Sequence, residues 1–152
     1  MAERGGDYMT TEELKSYLNQ VYRLHSRLRR EQGKLADIRS AVEYRSPAYD
    51  GSGGHGGSDK VGVAVANIME REQRVSDLSA AYTEKYKEVE RVIGSLGDDT
   101  LEEVLELRYL RFLKWDEIAV QMSYTERHIT RLHGVALKKM QKMSVNVLEC
   151  HP

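Results

Sequence analysis

Apolar residues recur every seven positions through the first part of the chain. Leu14, Val21, Leu28, Leu35 and Val42 form one series, and Tyr17, Leu24 and Ile38 occupy three of the four matching intermediate positions. Such spacing gathers apolar side chains on one stripe of a helix, the pattern of a coiled-coil seam. Thr10 with Glu13 supplies a capping-box signature just ahead of it. The series predicts a helix about 50 Å long if it runs unbroken, with Gly33 beside the polar pair Glu31 and Gln32 as the place for a bend. A second series, Val61, Ile68, Val75, Tyr82 and Val89, is reinforced by Leu78 and Val92. Two helices of similar length joined by a loop predict a long antiparallel helical hairpin over residues 1–96, with a Gly-rich loop at 46–60.

Gly94 and Gly97 signal the end of the second helix, and Thr100 with Glu103 offers a start for the next. This hinge sets the expected module boundary, so that 97–143 form a separate helical module and 144–152 a flexible tail. Within the module, Val104, Leu105, Leu107, Tyr109, Leu110 and Leu113 keep helical spacing, and a short helix follows from Trp115 to Gln121. A break at Met122 to Thr125 precedes a longer helix, in which Ile129, Leu132, Ala136 and Met140 form one apolar stripe. Its N-cap has two candidates: Ser123, which with Glu126 fits a capping box, and Thr125. The fold class expected is all-α.

Charge changes the picture more than composition does. The 152 residues carry a net charge of only -1, with 40% hydrophobic residues and a single Trp and Phe, so overall basicity does not announce a polyanionic partner. The charges are segregated, however. Ser123 to Met143 holds five Lys or Arg and one acid, while Gly94 to Val120 holds seven acids and three basic residues. A basic helix behind an acidic support suits a surface that meets phosphates locally.

The stretch from Leu101 to Met140 resembles region 4 of bacterial sigma factors. The matching residues are Leu107-Arg108-Tyr109, Trp115-Asp116-Glu117-Ile118-Ala119, Thr125 at the turn, Ile129, and Ala136-Leu137-Lys138-Lys139-Met140. Ser123-Tyr124 departs from the pattern, since many sigma-like turns carry Gly followed by an aliphatic residue. As a whole, the chain resembles the phage-encoded late-gene regulators grouped around ArpU and RinA, which place a helical N-terminal part before a sigma-like C-terminal part. The resemblance implies a helix-turn-helix that binds promoter or operator DNA, hence a sequence-specific transcriptional regulator of phage or prophage type.

On that reading Arg127 and Arg131, four apart on one face, supply bidentate contacts to guanine or phosphate, and Thr130 between them touches a base edge or methyl group. Lys138, Lys139 and Lys142 meet backbone phosphates. His128 and His133 are further phosphate candidates. The expected partners are double-stranded DNA, RNA polymerase and a second copy of the chain held through the hairpin. A structural or adaptor protein is the alternative: a sigma mimic docking on polymerase, or a DNA-packaging small subunit, with the hairpin as its working part.

Other chemistries find little support. Gly51-Ser52-Gly53-Gly54-His55-Gly56 satisfies GxGxxG formally, but no strand precedes it, and a flexible loop is expected there, with Tyr49 as a possible packing or partner residue. The histidines are scattered, the acids lack a paired arrangement and Cys150 stands alone near the end, so neither enzymatic activity nor a metal or cofactor is expected. Without an apolar run of membrane length or a signal peptide, a cytoplasmic location is the expectation.

Overall fold

The computed structural model describes residues 9–44 and 57–147, and for 57–59 and 144–147 the backbone alone. The described residues are all-α, with no strand among them: α1 (Thr11–Leu18), α2 (Gln20–Tyr44), α3 (Gly57–Gly94), α4 (Asp99–Tyr109), α5 (Trp115–Met122) and α6 (Glu126–Val147). The Ser46 to Gly56 stretch, with Tyr49 and the GxGxxG residues, and Cys150 lie outside the described residues.

Local chemistry accounts for most of the helix ends. Thr10 and Glu13 cap α1 reciprocally: the Thr10 N–H donates to the Glu13 carboxylate at 2.7 Å and the Glu13 N–H donates to the Thr10 hydroxyl at 3.2 Å. The helix that carries the first heptad series divides into α1 and α2 at Asn19 rather than at Gly33, which lies inside α2. Asn19 keeps right-handed backbone angles, φ -70° and ψ -8°. Its N–H donates to the Lys15 carbonyl at 2.9 Å and its carbonyl accepts from Arg23 at 3.1 Å, so the ladder continues across it. Helix α3 starts at Gly57, four residues inside the segment expected to be loop. It ends at Gly94, and Gly97 takes the left-handed φ of 71° that favours glycine. Asp98, not Thr100, caps α4, its carboxylate accepting the Leu101 N–H at 3.1 Å.

Contacts divide the chain into two units, residues 1–23 with 84–152 and residues 24–83. This division differs from the boundary expected at the Gly94 to Gly97 hinge, because among the described residues 9–23 and 84–147 cluster in one unit. In this first unit Leu14, Leu18, Val21, Val89 and Ile93 are buried, as are Val104 and Leu107 of α4, Ile118 of α5, and Ile129 and Leu137 of α6. α1 and α6 are tied by the Gln141 side-chain amide, which donates to the Met9 carbonyl at 2.7 Å. Tyr17 donates to the Glu88 carboxylate at 2.6 Å, and Lys85 reaches the same carboxylate at 2.9 Å. These bonds hold the Glu88 carboxyl below its ordinary range, while burial pushes the Tyr17 phenol up. Residues 144–147, expected in the tail, belong to α6, which continues to Val147.

The second unit consists of the distal parts of α2 and α3. Leu28 and Leu35 are buried, whereas Leu24, Ile38, Val42, Ile68, Val75, Leu78 and Tyr82 are half-buried. Three pairs link the helices: His25 lies against Tyr82, Glu31 pairs with Arg71, and Arg39 pairs with Glu72. The heptad series weakens at its start, where Val61 is 62% exposed, and Val63, Val65 and Met69 are exposed as well.

Candidate nucleic-acid interface

A five-residue cluster, Val104, Leu107, Ile118, Ala119 and Ile129, joins α4, α5 and α6, with Leu113, Trp115, Met122 and Leu132 packed against it. Ala119 is where α5 and α6 approach, and a small side chain at that crossing leaves room for Ile129. Between α4 and α5 the Arg108 guanidinium donates to the Leu113 carbonyl at 2.8 Å and lies 4.4 Å from the centre of the Trp115 ring. This cation–π clamp fixes the start of α5. The Glu117 carboxylate accepts the Lys114 N–H at 2.7 Å and completes that start.

The turn between α5 and α6 is decided by Ser123, which adopts a left-handed φ of 58°. Its N–H donates to the Val120 carbonyl at 3.2 Å and the Tyr124 N–H donates to the Ala119 carbonyl at 2.9 Å, the paired bonds of a Schellman motif. A residue closing α5 in this way does not cap α6. Thr125 does, its hydroxyl accepting the His128 N–H at 3.2 Å.

With the cap at Thr125 and 100° per residue, Arg127, Thr130, Arg131, Lys138 and Lys142 fall on one face of α6, and all are exposed. The Thr130 hydroxyl donates to the Glu126 carbonyl at 2.9 Å, so its donor is used within the helix. His128 and Lys139 lie to the side of this face and are half-buried. His128 packs against the Tyr124 ring, with centroids 4.7 Å apart, and its Nδ1 is 3.4 Å from the Arg131 guanidinium. Gly134 lies between Arg131 and Lys138 on the exposed face, and a Cβ there would meet nothing within 4 Å.

His133 departs from the sequence expectation. It is 7% exposed, shares a hydrogen bond of 2.8 Å with the Tyr109 hydroxyl and meets the Trp115 ring edge-on at 4.9 Å. Burial lowers its pKa to about 4, helped by Lys15 and Arg108. It is a core residue, unavailable to a phosphate. Its position one residue after Leu132, on the inner side of the stripe, carried that signal in the sequence. Tyr124 was not picked out from sequence, although it stands half exposed at the turn beside His128. Among the described residues no group of His, Cys, Asp and Glu is arranged to hold a metal ion, and no helix is long and apolar enough to cross a membrane. No known protein family, curated protein or solved structure matches the chain.

Proposed function

We propose that this chain is a sequence-specific DNA-binding transcriptional regulator of phage or prophage type. α5, the Ser123 turn and α6 act as its sigma region 4-like helix-turn-helix, and α2 with α3 forms an antiparallel helical hairpin. One observation carries the reading: Arg127, Thr130 and Arg131 stand exposed on the first turns of a helix whose opposite stripe, Ile129, Ala136, Leu137 and Met140, is buried. Side chains so placed are rigidly based: the guanidiniums face outward toward base edges in a major groove, and Thr130, its hydroxyl donor used within the helix, offers its methyl group there. Lys138 and Lys142 continue the same face toward phosphates, and Lys139 and His128 flank it. The open surface at Gly134 leaves room for a backbone to come close.

The exposed apolar residues Val61, Val63, Val65 and Met69 favour protein contacts through the hairpin, either with a second copy of the chain or with RNA polymerase. They also support the adaptor reading, in which those contacts are the whole activity. Mapping the DNA bound by the full chain in its host, followed by titration of the recovered site with Arg127→Ala and Arg131→Ala variants, separates the two. A regulator retains one sequence and loses it on substitution. An adaptor recovers none.

A further inference from the structure

We propose that Arg27, Arg30, Lys34 and Arg74 form a second phosphate-binding surface, a groove on the unit of residues 24–83 that takes the sugar-phosphate backbone of duplex DNA. The identity of the polyanion rests on the DNA-binding reading above, whereas the groove stands on its own geometry.

Arg27, Arg30 and Lys34 are spaced by three and four residues on α2, so their Cα positions fall within about 60° of one another around the helix. Arg74 of α3 lines the same open groove, which has a volume of about 630 Å³. Leu24 to Lys34 carries four Lys or Arg against one acid, a basic density at least equal to that of α6. Two acids also line the groove, and both are engaged. Glu31 accepts from Lys34 at 2.8 Å and from Arg71 at 2.9 Å, which holds its carboxyl below the ordinary range. Asp77 accepts the Gln73 side-chain amide at 2.8 Å. Arg74 pairs with Glu70 at 2.6 Å. Among the described residues neither Arg27 nor Arg30 belongs to an ion pair, although both are exposed.

The lining selects among polyanions. Leu78 is its single apolar side chain, whereas a protein partner normally needs apolar or aromatic anchors at the centre of its interface. A phosphate backbone needs only N–H donors, and three of the four cations are arginines, whose planar forks match phosphate oxygens bidentately. The rise from Arg27 to Lys34 is about 10 Å, close to three phosphate-to-phosphate steps along one strand, the axial span of about four successive phosphates. The contact is sequence-independent, because nothing in the groove is shaped to read a base edge.

The test measures binding of the full chain to a random-sequence duplex by fluorescence anisotropy across a salt series. Each phosphate contact adds about 0.9 to the steepness of log K against log salt. The variant combining Arg27→Gln, Arg30→Gln and Lys34→Gln is expected to flatten the slope by about two to three, while Arg27→Lys with Arg30→Lys preserves it. Should the triple variant lose helicity by circular dichroism, the single variants Arg27→Gln and Arg30→Gln carry the test, each expected to flatten the slope by about one. An unchanged slope in helical glutamine variants overturns the groove. If Arg127→Ala and Arg131→Ala still weaken binding to the recovered site, the α6 reading survives that result. Absence of duplex binding by the unsubstituted chain overturns both, as does retention on polyglutamate with none on duplex.

Discussion

The Tyr109 phenolic oxygen lies 2.8 Å from Nε2 of His133, and both side chains are buried between α4 and α6. The pair replaces one apolar contact of the α6 stripe with a polar one that is satisfied internally. Burial pushes the Tyr109 phenol up to about 12 and the imidazole down to about 4, so both are neutral near pH 7.

Stability should therefore fall on mild acidification. Folded, His133 stays neutral down to about pH 4; unfolded, it takes up a proton near 6.5. Between these values the unfolded state binds more protons, so its contribution is complete above pH 6.5 and lost progressively toward pH 4, by roughly 3 kcal/mol at most. Thermal unfolding from pH 7 to 4.5 should show a steeper loss in the native chain than in His133→Leu. Equal slopes would mean that the imidazole titrates normally.

Removing the other partner tests the same contact. Tyr109→Phe leaves Nε2 of His133 buried without a protein partner and should cost about 1–3 kcal/mol in urea unfolding. A neutral substitution would place a water in that role.

At the turn, Ser123 pays a left-handed backbone without being glycine. Ser123→Gly should raise stability by about 1 kcal/mol, leaving DNA affinity unchanged. Thr125→Ala should instead lower stability by about 0.5–2 kcal/mol, through loss of the α6 cap. Opposite signs from two residues so close together would establish which of them closes α5 and which opens α6.

On the exposed face, Arg127→Ala and Arg131→Ala should each weaken binding to the recovered site by about 1–3 kcal/mol with helicity unchanged. Lys138→Gln and Lys142→Gln should weaken all duplexes alike and flatten the salt slope by about one each. Gly134→Ala adds helix propensity and should stabilise by about 0.5–1 kcal/mol, since no protein atom fills that space. Duplex affinity that falls in the stabilised variant would place DNA against the helix there; unchanged affinity would leave Gly134 clear of it.

Along α3, Val61→Gln, Val65→Gln and Met69→Gln combined should shift sedimentation of an oligomer to the monomer while unit 1 keeps its melting transition. A native chain that sediments as a monomer at all concentrations would remove the second copy as a partner.

Periodicity alone determined the helical class and most of the inward positions. Leu14, Val21, Leu28, Leu35 and Val89 are buried where a seven-residue repeat puts them, because a helix returns to the same face after two turns. The α6 stripe was legible for the same reason, and with it the exposure of Arg127 and Arg131. The repeat does not say what covers each stripe, so Val61 continues the series yet is exposed. Whether Ser123 or Thr125 capped α6 turned on one backbone dihedral, which the sequence left open between two plausible caps. His133 needed Tyr109 and Trp115, residues 24 and 18 positions away, before its burial had a chemical reason. The joining of the described residues 9–23 and 84–147 into one unit was likewise decided by tertiary packing. Helical patterns are set by neighbours three and four residues apart, whereas burial of the stripes they create depends on contacts from the far end of the chain.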